Sequence, residues 1–303
     1  MQAPRDEATW PLRGVLAPNL TPFGDDGHIV EALYIEHAER LIEEGCVGLV
    51  PFGTTGEAAS VGLDERIRLL ERLVESGIPA SRLLPGTGLT SLPDTVRLTR
   101  HATALGCAGV LVLPPFYYKA VSDDALFAYF ARLIDEVDDS ALRVVLYHIP
   151  QVAGVGLSIP LVRRLHEAFP ETVAGIKDSS GDWANTSALL AIEGLAVYPG
   201  TELLLPRALA AGSPGCITAT ANVNAPALNQ LVRLVRENLE ASRDAFESVR
   251  RVRLAVQEHP SIPALKALLA RRTGEARWRN VRPPLETLVE SQEAALAEYV
   301  LQT

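Results

Sequence analysis

The chain has 303 residues, 48% of them hydrophobic and 21% charged, enough for a barrel of roughly 250 residues with an appendage. Acidic residues outnumber basic ones by 37 to 28, giving a net charge of −9 with no basic block, so neither nucleic acid nor an anionic membrane is an expected partner. Cys46, Cys107 and Cys216 lie far apart in apolar surroundings with no CxxC pair, which argues against a zinc site or a disulfide framework.

Residues 1–13 mix charges with prolines and lack the apolar core of a signal peptide. No stretch is apolar for long enough to span a bilayer, and a cytoplasmic setting is expected. Short β-rich runs then recur about every thirty residues, at 15–18, 47–52, 83–87, 109–114, 143–147, 173–177, 196–199 and 215–218. Several are continuously apolar, as strands buried on both faces are. Amphipathic segments at 29–44, 64–75, 94–105 and 123–137 predict helices between them. Asp64, Ser91, Ser122, Ser158 and Asp182 are candidate N-caps, and Gly45, Gly77, Gly106 and Gly212 are candidate stops. Arg163-Arg164, Arg250-Arg251 and Arg271-Arg272 fall in helix-like stretches and read as solvated faces.

Eight alternating strand and helix units imply an α/β fold with a parallel sheet, and eight suits a closed (β/α)8 TIM barrel. Residues 1–223 are read as the barrel, and 224–303, punctuated by Pro260, Pro263, Pro283 and Pro284, as a C-terminal helical extension packed on it.

In such a barrel the reacting groups stand at the C-terminal ends of strands. Of the 28 basic residues only Lys119, Lys177 and Lys266 are lysines. Lys177 ends the apolar run Val173-Ala174-Gly175-Ile176, where desolvation favours a neutral, nucleophilic amine. The alternative is a lysine paired with a carboxylate such as Asp178, although alternation aims Asp178 at the opposite face. Gly53-Thr54-Thr55-Gly56-Glu57 offers hydroxyls and backbone N–H groups for a small anion, or is an ordinary strand-to-helix turn. It lacks the lysine and spacing of a P-loop. Tyr147 is either a proton donor or a core tyrosine. Phe116, Tyr117 and Tyr118 suit an interface or a pocket equally well. The six histidines show no ligand spacing, so no metal is expected, and Gly86-Thr87-Gly88 does not continue into a dinucleotide-binding pattern.

Taken together, Thr21-Pro22-Phe23, Gly53-Thr54-Thr55-Gly56-Glu57, Pro115-Phe116-Tyr117-Tyr118, Tyr147-His148-Ile149-Pro150, Gly175-Ile176-Lys177-Asp178 and Arg282-Pro283-Pro284-Leu285 resemble the dihydrodipicolinate synthase and N-acetylneuraminate lyase family. The resemblance spans nearly the whole chain. It implies a class I aldolase or lyase acting on pyruvate or a related 2-oxo acid, with Lys177 as the Schiff-base lysine and no cofactor. Tyr147 resembles the family's proton-relay tyrosine, Thr54 its hydroxyl partner and Thr55 the holder of the 2-oxo acid carboxylate. Tyr117 resembles a tyrosine that reaches into a neighbouring subunit's site, within a homotetramer built as a dimer of dimers. Gly53, Ser179, Gly200, Glu202 and Ile217, at or beside strand ends, are expected to bind substrate.

The chain also departs from that pattern. Typical dihydrodipicolinate synthases carry an arginine two positions after Pro150, where this chain has Val152, which forms no charge-assisted bond. Sialic-acid lyases carry two adjacent acids where this chain has Glu202 and Leu203, and asparagine is common where His148 stands. The leading expectation is therefore a lyase, aldolase or dehydratase for a sugar-acid-derived 2-oxo acid. The alternatives are 4-hydroxy-tetrahydrodipicolinate synthase, acting on pyruvate and aspartate semialdehyde, and a non-catalytic 2-oxo-acid sensor. Lys177, Tyr147 and Thr54 together argue against the sensor.

Overall fold

A computed structural model describes the backbone of residues 10–301 and the side chains of residues 10–296. Residues 1–9, which carry most of the segment read as no signal peptide, lie outside the described residues. Seven parallel strands are present among the described residues: β1 (Val15–Ala17), β2 (Gly48–Leu49), β3 (Val110–Val112), β4 (Val144–His148), β5 (Val173–Asp178), β6 (Ala196–Pro199) and β7 (Cys216–Ile217). They form two sheets, ordered β2-β1-β7 and β3-β4-β5-β6.

The expected third strand, 83–87, joins the two sheets through isolated parallel bridges, Leu49 to Leu83 and Gly86 to Leu111. Leu84 N donates to Leu49 O at 2.9 Å, and Thr87 N to Leu111 O at 3.0 Å. Pro85 has no N–H, which thins this stave. Gly86 passes so close to the chain that a Cβ there would stand 2.1 Å from Phe52 O. At the other seam Ser213 Oγ donates to Val197 O at 2.7 Å and ties the approach to β7 onto β6. Eight staves thus close a TIM barrel.

Alternation along the staves builds two cores. Outward residues such as Val15, Leu49, Val112, Leu146 and Ile176 pack under the helices, while Leu16, Val50, Leu84, Leu111 and Val145 fill the barrel. Both faces being apolar explains the uninterrupted apolar runs. The β4–β5 ladder sets Tyr147 opposite Lys177, and the β5–β6 ladder sets Lys177 opposite Tyr198. Paired residues in parallel strands face the same side, so Lys177 and Tyr147 turn inward together while His148 and Asp178 turn outward.

The first helices are α1 (Glu31–Glu43), α2 (Leu63–Glu75), α3 (Leu92–Ala104), α4 (Asp123–Val137), α5 (Pro150–Ala153) and α6 (Ile159–Ala168). They are followed by α7 (Trp183–Leu190), α8 (Leu205–Ala210) and α9 (Ala221–Glu237). Ser91, Ser122, Ser158 and Asp182 cap their helices with their side chains. Asp64 does not: α2 starts earlier, and Glu65 Oε2 accepts from the N-cap Gly62 N–H at 2.8 Å. Gly45, Gly77, Gly106 and Gly212 all have positive φ, the conformation in which a helix stop favours glycine.

Helix α9 crosses residue 224, where Asn224 breaks the helical dihedrals two residues before Pro226. It packs on β1 and beside α8, and we propose it as the last helix of the barrel. The extension then comprises α10 (Arg243–Gln257), α11 (Ser261–Thr273) and α12 (Glu290–Leu301). Its core, with Val256, Leu265, Leu268 and Leu269 around fully buried Trp278, covers Leu20 and Leu33 at the start of the barrel. Among the described residues no helix is long and apolar enough to cross a membrane.

Candidate active site

A cavity of about 500 Å³ opens over the C-terminal ends of the strands, between the barrel and the extension. Lys177 lies in it, 4% exposed. Its Nζ donates to Tyr147 Oη at 3.2 Å and sits 4.3 Å from the centroid of the Tyr147 ring. Tyr147 Oη in turn lies 3.4 Å from Thr54 Oγ1.

The carboxylate-partner reading of Lys177 fails on geometry. Asp178 faces the helices, where its carboxylate accepts from Thr186 Oγ1 at 2.6 Å and from Ser180 N at 3.0 Å. Lys177 forms no ion pair among the described residues.

Burial raises the Tyr147 phenol, but the Lys177 ammonium and hydrogen bonds with Thr54, Lys177 and Ser179 outweigh it and hold the pKa below the ordinary tyrosine value. A phenol eased toward ionisation beside an amine is equipped to pass protons. His148 is buried on the other side of β4, and its Nδ1 accepts from Leu157 N at 2.9 Å. Burial pushes its pKa down against the pull of Asp178.

The turn carrying Thr54 and Thr55 lies between two non-glycine residues in the left-handed region, Phe52 at φ 59° and Glu57 at φ 56°. Each such conformation costs about 1–3 kcal/mol and persists only where packing enforces it. For Glu57 the enforcement comes from the extension. Glu57 forms a fully buried ion pair with Lys266 of α11 and accepts from Arg282 N at 3.0 Å. Lys266 Nζ also donates to Asn280 O at 2.6 Å. The Thr54 and Thr55 N–H groups donate to no acceptor among the described residues, which leaves them, with the two hydroxyls, available to an anion.

Thr54, Thr55, Tyr147, Lys177, Ser179, Gly200 and Ile217 all line the 500 Å³ cavity. A Cβ at Gly200 would stand 2.1 Å from Ser179 Oγ and 2.9 Å from its Cβ, so any side chain there would displace Ser179. Gly53 lines an adjoining cavity of about 350 Å³ that shares Thr54 and Tyr147 with the first. Two expected residues are elsewhere. Glu202 lies outside both linings, fully buried, with its oxygens taken by Thr218 Oγ1 at 2.6 Å and by Thr220 Oγ1. Glu202 opens a single 3-10 turn, Glu202–Leu204, that directly follows β6 and its two-residue connection. Tyr117 is 74% exposed, edge-to-face with Tyr118, and lines neither cavity of its own chain. The cavity also contains residues not anticipated from the strand ends, chiefly Arg253 and Gln257 of α10 and Ile262 of α11. Among the described residues no group of three or more His, Cys, Asp and Glu is placed to hold a metal ion.

The match to the dihydrodipicolinate synthetase family model runs over residues 11–303. An uncharacterized DapA-like lyase of Chloroflexus aurantiacus is 36% identical over 289 residues, 94% of this chain and 94% of the relative. The solved dihydrodipicolinate synthase from Agrobacterium tumefaciens superposes with a TM-score of 0.87 at 35% identity, over 95% of this chain and 98% of the other. YagE of Escherichia coli K12, a member of the same family solved with pyruvate, superposes with a TM-score of 0.87 at 26% identity, over 96% and 98%. The chain therefore belongs to the dihydrodipicolinate synthetase family, as one of its class I lyases and aldolases.

Proposed function

We propose that this enzyme forms a Schiff base between Lys177 and pyruvate or a related 2-oxo acid, and acts on a sugar-acid-derived substrate as an aldolase, lyase or dehydratase. One observation carries the reading: a buried lysine without an ion-pair partner, 3.2 Å from a tyrosine hydroxyl that itself contacts Thr54.

The chemistry follows from those positions. The Thr54–Thr55 turn holds the 2-oxo acid carboxylate and presents C2 to Lys177. The neutral amine attacks C2 to give a carbinolamine. Tyr147 protonates the departing hydroxyl, water leaves, and a protonated imine remains. The iminium draws electrons from C3. A C3 proton then departs to give an enamine, or the C4 hydroxyl gives up its proton as the bond from C3 to C4 breaks, releasing an aldehyde and leaving the same enamine. Val152, exposed at the cavity mouth, brings no charge to the loop after β4, so a grip on the carboxylate of aspartate semialdehyde would have to come from elsewhere in the cavity. We also propose a homotetrameric assembly, in which the exposed Tyr117–Tyr118 pair finds a neighbouring subunit.

Incubation with pyruvate in deuterium oxide tests the enamine. The C3 protons should exchange in the wild type and stop exchanging in Lys177→Arg, which keeps the charge but cannot form an imine. Undiminished exchange in Lys177→Arg would contradict the reading.

A further inference from the structure

Helix α10 brings to the cavity a cation that the strand ends do not supply. Arg253 lines the same cavity as Lys177 and Tyr147. Its side chain is 17% exposed, and Nη1 stands 3.8 Å from Glu202 Oε2, beyond hydrogen-bond length. Its Nε is buried and has no hydrogen-bond partner among the described residues. Glu202 already accepts from Thr218 and Thr220, so it orients the guanidinium by charge and receives none of its N–H groups.

A guanidinium carries five N–H donors in a flat fork. The buried Nε, left without a partner among the described residues, carries a desolvation penalty of about 1–3 kcal/mol. The fork matches a carboxylate. Glu202 behind it brings the net charge of the pair close to zero, which suits one further monoanion better than a dianionic phosphate. Gln257, four residues along α10, lines the cavity beside it and adds an amide. Val152, which lines the same cavity, presents only methyl groups.

We infer that Arg253 determines specificity for the far end of the substrate, and that the substrate's carbon skeleton carries a second carboxylate remote from its 2-oxo acid end. This rests on the Schiff-base reading of Lys177. The two anionic ends are then held at opposite sides of the reacting carbons, the first by the Thr54–Thr55 turn and the second by Arg253.

Matched 2-oxo acids test it on the full-length protein: 2-oxoglutarate against 2-oxopentanoate, and 2-oxoadipate against 2-oxohexanoate. Each is trapped on the protein with borohydride, and the concentration giving half-maximal adduct is measured. The wild type should prefer the diacid at least about tenfold at one chain length or both, and Arg253→Gln should shrink that preference to about twofold or less. Arg253→Lys should fall between them, and it carries the test if Arg253→Gln does not fold by circular dichroism. Each preference is a ratio within one protein, so a general loss of imine formation cancels. Equal trapping of diacid and monoacid by the wild type, or an undiminished preference in the variants, overturns the inference while leaving the Lys177 adduct standing. No wild-type adduct with any of the four acids or with pyruvate overturns the Schiff-base reading, and this inference with it.

Discussion

Replacing Lys266 with methionine probes how the extension holds the turn that carries Thr54 and Thr55. The substitution keeps the apolar stem and removes the ammonium that faces Glu57, Asn280 O and the Phe23 ring. Both side chains of the ion pair are fully buried, so the carboxylate left behind keeps the Arg282 N–H at 3.0 Å and loses its counter-charge. Removing one partner of a buried pair costs about 3–5 kcal/mol. The Lys266 ammonium is itself strained: burial pushes its pKa down to about 8 against the pull of Glu57. The loss therefore belongs toward the lower part of that range. With a urea slope of about 3 kcal/mol/M, the unfolding midpoint should drop by about 1 M. The double variant Lys266→Met/Glu57→Leu removes both desolvated charges and should recover most of the loss. Glu57 ends the turn that carries Thr54 and Thr55, so Lys266→Met should also raise the pyruvate concentration needed for half-maximal deuterium exchange. A midpoint within experimental error of the wild type would refute the claim that this pair clamps the turn. So would a double variant less stable than Lys266→Met.

Tyr147→Phe keeps the buried ring and removes the relay hydroxyl; kcat should fall roughly 10²- to 10⁴-fold, with an unchanged circular dichroism spectrum. A spectroscopic pH titration should find the Tyr147 phenolate forming below the ordinary tyrosine range, in a step that is missing from Tyr147→Phe. In Lys177→Met burial persists while the cation and one hydrogen bond are lost, so the same step should move to higher pH. A step that stays in place would show that Lys177 does not set the tyrosine's ionisation. Tyr117→Ala should shift the assembly toward smaller species in light scattering, because the side chain is 74% exposed in a single subunit; an unchanged mass would remove Tyr117 from the interface.

The legible parts of the site are those governed by a short repeat. Alternation along β4 and β5 placed Tyr147 and Lys177 on the inner face, and it placed Asp178 and His148 on the outer one. The third stave was legible as apolar sequence even though Pro85 and the crowding at Gly86 leave it with isolated bridges. Glu202 was expected beside a strand end, but it sits in the 3-10 turn after β6 with its carboxylate buried against Thr218 and Thr220, an arrangement that strand alternation does not predict. Arg253 was not legible at all. Nothing local distinguishes it from Arg250, which pairs with Glu247 on an exposed face, and it meets the cavity only through packing of the extension. The support of Glu57 by Lys266 was hidden for the same reason, since 209 residues separate a turn from the helix that holds it.

The most direct measurement of the central claim is the covalent one. The wild-type protein is incubated with pyruvate, reduced with borohydride, digested, and mapped by mass spectrometry. A reduced pyruvyl adduct on the peptide containing Lys177, absent from Lys177→Arg, is the predicted result. No adduct, or an adduct on Lys119 or Lys266 instead, would contradict it.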